Sequence, residues 1–170
     1  MKKSCIIILS LLTTLLIIVV SAMCVTLNNR KKQEYENQTQ YQVAADYISE
    51  SIEDLTKIGY LRSVAVDGFV ETIFLSKEEA IDYIDDESTF ENAAARKDEV
   101  DELYLNLPEL KNTAIMNKMT QLYESYSTLY EVTTVEKVDF DTYIDTYNNQ
   151  YNDFICTLEE MNRLLTEESK

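Results

Sequence analysis

The sequence predicts an all-α protein: an N-terminal transmembrane helix, then an elongated antiparallel bundle of three to four long helices with a coiled-coil-like C-terminal hairpin. Three observations lead there. Gly59, Gly68 and Pro108 are the only glycines and proline in 170 residues, whereas a sheet-rich domain needs such turn residues repeatedly. Apolar side chains recur at three- and four-residue steps through most of the chain. An uncharged apolar run of 23 residues, 5–27, stands between Lys2 and Lys3 on one side and Arg30, Lys31 and Lys32 on the other.

As a helix, that run would reach roughly 34 Å, enough to cross a hydrocarbon core of about 30 Å. Residues 1–32 therefore read as a signal anchor with basic flanks, with its span at about 5–27. Two other readings stand beside it. Val20, Ser21 and Ala22 put small residues where a signal peptidase needs them for a cut before Met23. A lipoprotein signal could end at Cys24, although Met23 occupies the place where a small residue is required. The flanking cations are nearly tied, and their count alone favours a cytoplasmic domain. A tiny basic start that runs straight into apolar residues is instead the form of exported chains. The expectation is a single-pass protein of the cell membrane with residues 33–170 outside; secretion after cleavage near Ala22 is the alternative.

Beyond the anchor, residues 34–75 carry a helical pattern in Tyr41, Ala45, Ile48, Ile52 and Leu55. Its phase slips near Gly59 and resumes through Leu61, Ala65, Phe69 and Ile73. Gly59 marks either a bend or a place where another helix comes close. No stop signal separates residues 27 and 35, so the anchor runs on into this helix. Ser76, with Glu79 three residues on, is a capping box and starts a short helix through Ile81 and Ile84. Ser88 and Glu91 repeat the signature and start a helix carrying Ala93, Val100, Tyr104 and Leu107. The acids Asp85, Asp86 and Glu87 suit the dipole at its start. They are not a calcium loop, because Phe90 stands where an EF-hand needs glycine.

Pro108 ends or kinks that helix. A helix over 109–134 follows, with Ile115, Met119, Leu122, Tyr126 and Leu129 alternating steps of four and three. The last helix, 139–167, is capped by Asp139 or Asp141 and carries Ile144, Tyr147, Tyr151, Phe154, Leu158, Met161 and Leu165. Such a 3.5-residue repeat is the seam of paired helices, and the short link at 132–138 makes the pair antiparallel. Leu122 and Tyr126 should then face Tyr147 and Tyr151.

All 31 acidic residues lie at or after Glu34, and residues 33–170 hold ten basic ones, a net charge of −21. Nucleic acid would be repelled, so no nucleic-acid partner is expected. The chain has no histidine, which removes the usual zinc ligand and general base. Cys156 is the one thiol beyond the apolar run that holds Cys5 and Cys24, so the domain cannot form an internal disulfide. Phosphate-binding, dinucleotide-binding and nucleophile-elbow motifs are all missing. No catalytic, cofactor-binding or metal-binding residue is therefore assigned, and the chain does not read as an enzyme.

Tyr123, Tyr126, Tyr130, Tyr143, Tyr147 and Tyr151 gather around the hairpin link. They form either an aromatic platform for a sugar, a peptide or a partner helix, or a packed hairpin tip whose hydroxyls reach water. Asn37, Gln38 and Thr39 fit the N-glycosylation sequon. The expected role is that of a membrane-anchored, extracytoplasmic interaction or structural module. Its partners would be the lipid bilayer, through the N-terminal helix, and a protein or a second copy, through helical faces. A ligand-sensing bundle working with a partner protein is the alternative. A small carboxylate hydrolase ranks below both, because it needs an enclosed acid pair.

Overall fold

The computed structural model describes residues 2–73, 87–135 and 140–168, with side chains over 19–63, 87–135 and 142–167. Among the described residues there are four helices and no strand: α1 (Lys2–Ile73), α2 (Glu87–Leu105), α3 (Thr113–Thr134) and α4 (Phe140–Glu168). The all-helical class read from the sequence holds. The expected short helix after Ser76 lies outside the described residues. The chain divides into two compact units, Met1–Asn37 and Gln38–Lys170.

The first unit is helical from Lys2 onward, with no break between residues 27 and 35. Val19, Val20, Met23, Val25 and Leu27 are all exposed, and Thr26 donates from Oγ1 to the Ala22 carbonyl at 2.8 Å. No helix among the described residues is long and apolar enough to cross a membrane, so the transmembrane reading gains no support there. Most of the run 5–27 precedes Val19, where the described side chains begin.

In the second unit the helices run up, down, up and down. α4 lies antiparallel to α3, because Lys118 pairs with Glu160 at 2.5 Å while the rings of Tyr126 and Phe154 meet at 6.4 Å. α2 lies antiparallel to α1, with Lys57 near Thr89 and Tyr47 bonded to Glu99. α1 also runs against α4, from Gln38 beside Leu165 to Gly59 beneath Tyr147. Each helix turns its repeat inward. Ile115, Met119, Leu122, Tyr126 and Leu129 are buried on α3, and Tyr143, Tyr147, Phe154, Met161 and Leu165 on α4. Ile144, Tyr151 and Leu158 flank the α4 seam, half-buried.

Three details differ from the sequence reading. Up to Arg62 the phase of α1 does not slip, and Ala65, Phe69 and Ile73 lie outside the described side chains. Ile48, Ser51, Leu55, Ile58 and Arg62 face inward at steps of three and four, and the polar pair Ser51 and Arg62 hides that regularity. The helix passes Gly59 unbroken, and a Cβ there would run into the Tyr147 ring, so of the bend and the close approach expected at this glycine, the close approach holds. α3 begins at Thr113 instead of 109, because Asn112 caps it, accepting from the amides of Ala114 and Ile115 at 3.0 and 3.4 Å. Ser88 sits within α2 rather than capping it, and Asp141 sits within α4; Asp139 lies outside the described residues.

Candidate functional site: an aromatic groove between α2 and α3

Lys97 and Asp101 are one turn apart on α2 and so share a face. Lys97 bonds both carboxylate oxygens of Asp101, at 2.5 and 2.7 Å. Across from them, α3 presents Tyr123 and Tyr130, two turns apart. The Lys97 ammonium stands 5.4 Å from the Tyr123 ring centre and 5.9 Å from that of Tyr130, within range for a cation on aromatic faces. The Tyr123 hydroxyl donates to Asp101 at 2.8 Å. Tyr104, a turn beyond Asp101, stacks on Tyr123 with centroids 4.0 Å apart and planes 2° from parallel, and donates to Thr120 at 3.1 Å.

Lys97, Tyr123 and Tyr130 border an open groove of about 570 Å³ that is also lined by Asp98, Glu124 and Glu131. The Lys97 side chain is 16% exposed, so the cation is a wall of the groove and not a free surface charge. Burial pushes the Tyr123 phenol above its ordinary value, and its bond to Asp101 adds to the shift. Burial likewise raises Tyr41, Tyr126 and Tyr147. Raised phenols stay protonated at neutral pH and act as hydrogen-bond donors, not bases. The groove offers ring faces, hydroxyls and a carboxylate rim, a set suited to a cationic or hydroxyl-bearing partner surface.

The structure separates the six tyrosines around the link. Tyr126, Tyr143 and Tyr147 are core residues. Tyr123 and Tyr130 line the groove, and Tyr151 stacks on Tyr147 at 6.0 Å. Tyr126 meets Phe154, and the tip of Tyr147 lies over Gly59 of α1, in place of the expected facing of Tyr126 to Tyr147. Lys97 escaped the sequence reading. Its signal was the four-residue spacing to Asp101, with Tyr104 following three residues later.

Arg62 also escaped notice. It is 2% exposed and donates to the carbonyls of Thr133 and Val135, both at 2.9 Å, while its guanidinium covers the Phe90 ring at 5.0 Å. It thus satisfies the carbonyl end of α3 from a neighbouring helix. Of the other residues noted in the sequence, Cys24 and Cys156 are free and exposed, Glu87 is exposed, and Asn37 is half-buried. Cys5, Asp85 and Asp86 lie outside the described side chains. Among the described residues no three His, Cys, Asp or Glu are grouped to hold a metal ion. Compared with protein-family models, with curated proteins and with solved structures, the chain matches none of them.

Proposed function

We propose that the protein is a membrane-anchored helical interaction module, with residues 5–27 as the span, the bundle displayed outside the cell membrane and the α2–α3 groove as its contact surface. The observation that carries this reading is the uncharged apolar run of 23 residues, 5–27, which follows Lys2 and Lys3. Apolar residues on all sides of a helix suit lipid better than water. Exposed Arg30, Lys31 and Lys32 follow, where a span meets headgroups. The lining of the groove supports the rest. Aromatic and mixed polar side chains are what contact patches hold, whereas a catalyst needs a positioned base or nucleophile.

The test is fractionation of the full-length chain. It should stay with membranes through high salt and alkaline carbonate, and protease added to intact cells should digest the bundle. Release of intact protein by carbonate would rule out a span. A bundle protected until lysis would place it inside. A ligand-sensing role with a partner protein is the second reading, favoured by the same groove. Saturable binding of a small cation or sugar, weakened by Tyr130→Ala, would move it ahead.

A further inference from the structure

We propose that α2 is a lid: it opens and closes as one piece over α1 and α3 while the α3–α4 hairpin stays packed. The first support is what α2 buries. Its fully buried residues are Thr89, Ala93 and Val100, two of them small, and its aromatics Phe90 and Tyr104 are only partly buried, so the apolar surface that resists its departure is modest. The second is how it is held. Toward α1 the contacts are mostly polar: Arg96 to Asp54 at 2.9 Å, Arg96 to the Glu50 carbonyl at 3.4 Å, Lys57 to Thr89 at 3.0 Å, and Tyr47 to Glu99, with the Phe90 ring under the Arg62 guanidinium. Toward α3 they are the ring and hydroxyl contacts of the groove. Water can replace each polar contact when the helix leaves, so each adds only modestly to closure.

The third support is a cost built into the closed state. Tyr126 is fully buried on α3, and its hydroxyl finds no hydrogen-bond partner among the described residues. Tyr126 shares a face of α3 with Tyr123 and Tyr130, three and four residues away, and both of those meet Lys97 of α2, so the phenol stands beside the surface that α2 covers. Opening admits water to the hydroxyl and relieves a penalty that closure imposes. Low-stability units of this kind are where proteins open below the level of global unfolding. The uncovered face would present Ser51 and Asp54 of α1 and the Tyr126 phenol.

The experiment is native-state hydrogen exchange on the full-length chain in detergent micelles, over a series of low guanidinium concentrations. Exchange over 87–105 should depend weakly on denaturant, since little surface opens, and exchange over 113–134 and 142–167 should depend steeply on it. Phe154→Ala should quicken the hairpin peptides and leave 87–105 unchanged. Tyr126→Phe should slow 87–105 by about tenfold, as expected when a buried unsatisfied hydroxyl is removed. The proposal is overturned if all three regions share one denaturant slope, if Phe154→Ala quickens 87–105 as much as the hairpin, or if Tyr126→Phe fails to slow it. Should Phe154→Ala not fold, the denaturant series on the unaltered chain decides.

Discussion

Among the described residues, seven are buried along α3 and five along α4, against three along α2. α3 and α4 are joined by large apolar and aromatic side chains such as Leu122, Tyr126, Phe154 and Met161. α2 is joined to the bundle by an ion pair, hydroxyls, stacked rings and small residues. All three helices have polar outer faces, so the difference lies in what fills the inward positions. Volume at those positions sets stability, and polar chemistry there sets which helix can leave.

The largest effect that could break this contrast is on the hairpin. Phe154→Ala should cost about 3–5 kcal/mol by emptying a fully buried site, while Glu124→Ala on the exposed face of α3 should move the unfolding midpoint little. Equal shifts in a denaturation series would show that the seam is not where the stability lies. Next comes the junction of the two regions. Arg62→Met should cost about 1–3 kcal/mol, because the Thr133 and Val135 carbonyls lose their buried donor. A melting temperature unchanged by that substitution would remove Arg62 from the account of α3's end.

A smaller effect sharpens the packing of α1 on α4. Gly59→Ala gains about 1 kcal/mol of helix propensity, but its methyl group meets the Tyr147 ring, and overpacking costs about 1–3 kcal/mol. The expected result is net destabilisation in the native background and stabilisation beside Tyr147→Ala. Stabilisation in both backgrounds would mean that the ring gives way freely, and destabilisation in both would mean that the ring is not the obstacle.

The mildest effect is on pH dependence. Tyr41, Tyr123, Tyr126 and Tyr147 have phenol values above the ordinary one in the folded chain. Folding then holds their protons more tightly than the unfolded chain does. The contribution is fully present below the unfolded value of about 10 and is lost as pH rises from there through the folded values. Stability followed by circular dichroism should therefore fall above roughly pH 10. A flat profile from pH 9 to 12 would contradict the burial of these hydroxyls.

The seams of α3 and α4 were legible in the sequence because their inward positions are nearly all large and apolar. α1 was harder to read, since Ser51 and Arg62 occupy inward positions and imitate a break in phase. The start of α3 was misplaced because Pro108 drew the boundary toward itself, although Asn112 is a good cap four residues later. The groove was the least legible feature. Lys97 and Asp101 share a helix, but their tyrosine neighbours come from another, and no local pattern records which ring will stand over which cation. Tyr123 and Tyr130 were noticed as part of a crowd of tyrosines, and only tertiary packing separated them from Tyr126, Tyr143 and Tyr147.

The tyrosine stack also has an optical consequence. The chain has no tryptophan, so its near-ultraviolet spectrum belongs to tyrosine, with a minor share from phenylalanine. Tyr104 and Tyr123 lie face to face at 4.0 Å, one on α2 and the other on α3, and Tyr143, Tyr147 and Tyr151 form a ladder with 6.2 and 6.0 Å steps on α4. Near-ultraviolet dichroism depends on such fixed ring packing and vanishes when it loosens. The pair that bridges two helices and the ladder within one helix are therefore two separate chromophores, and Tyr104→Leu would silence the first while sparing the second. The protein thus carries its own unlabelled signal for the contact between α2 and α3.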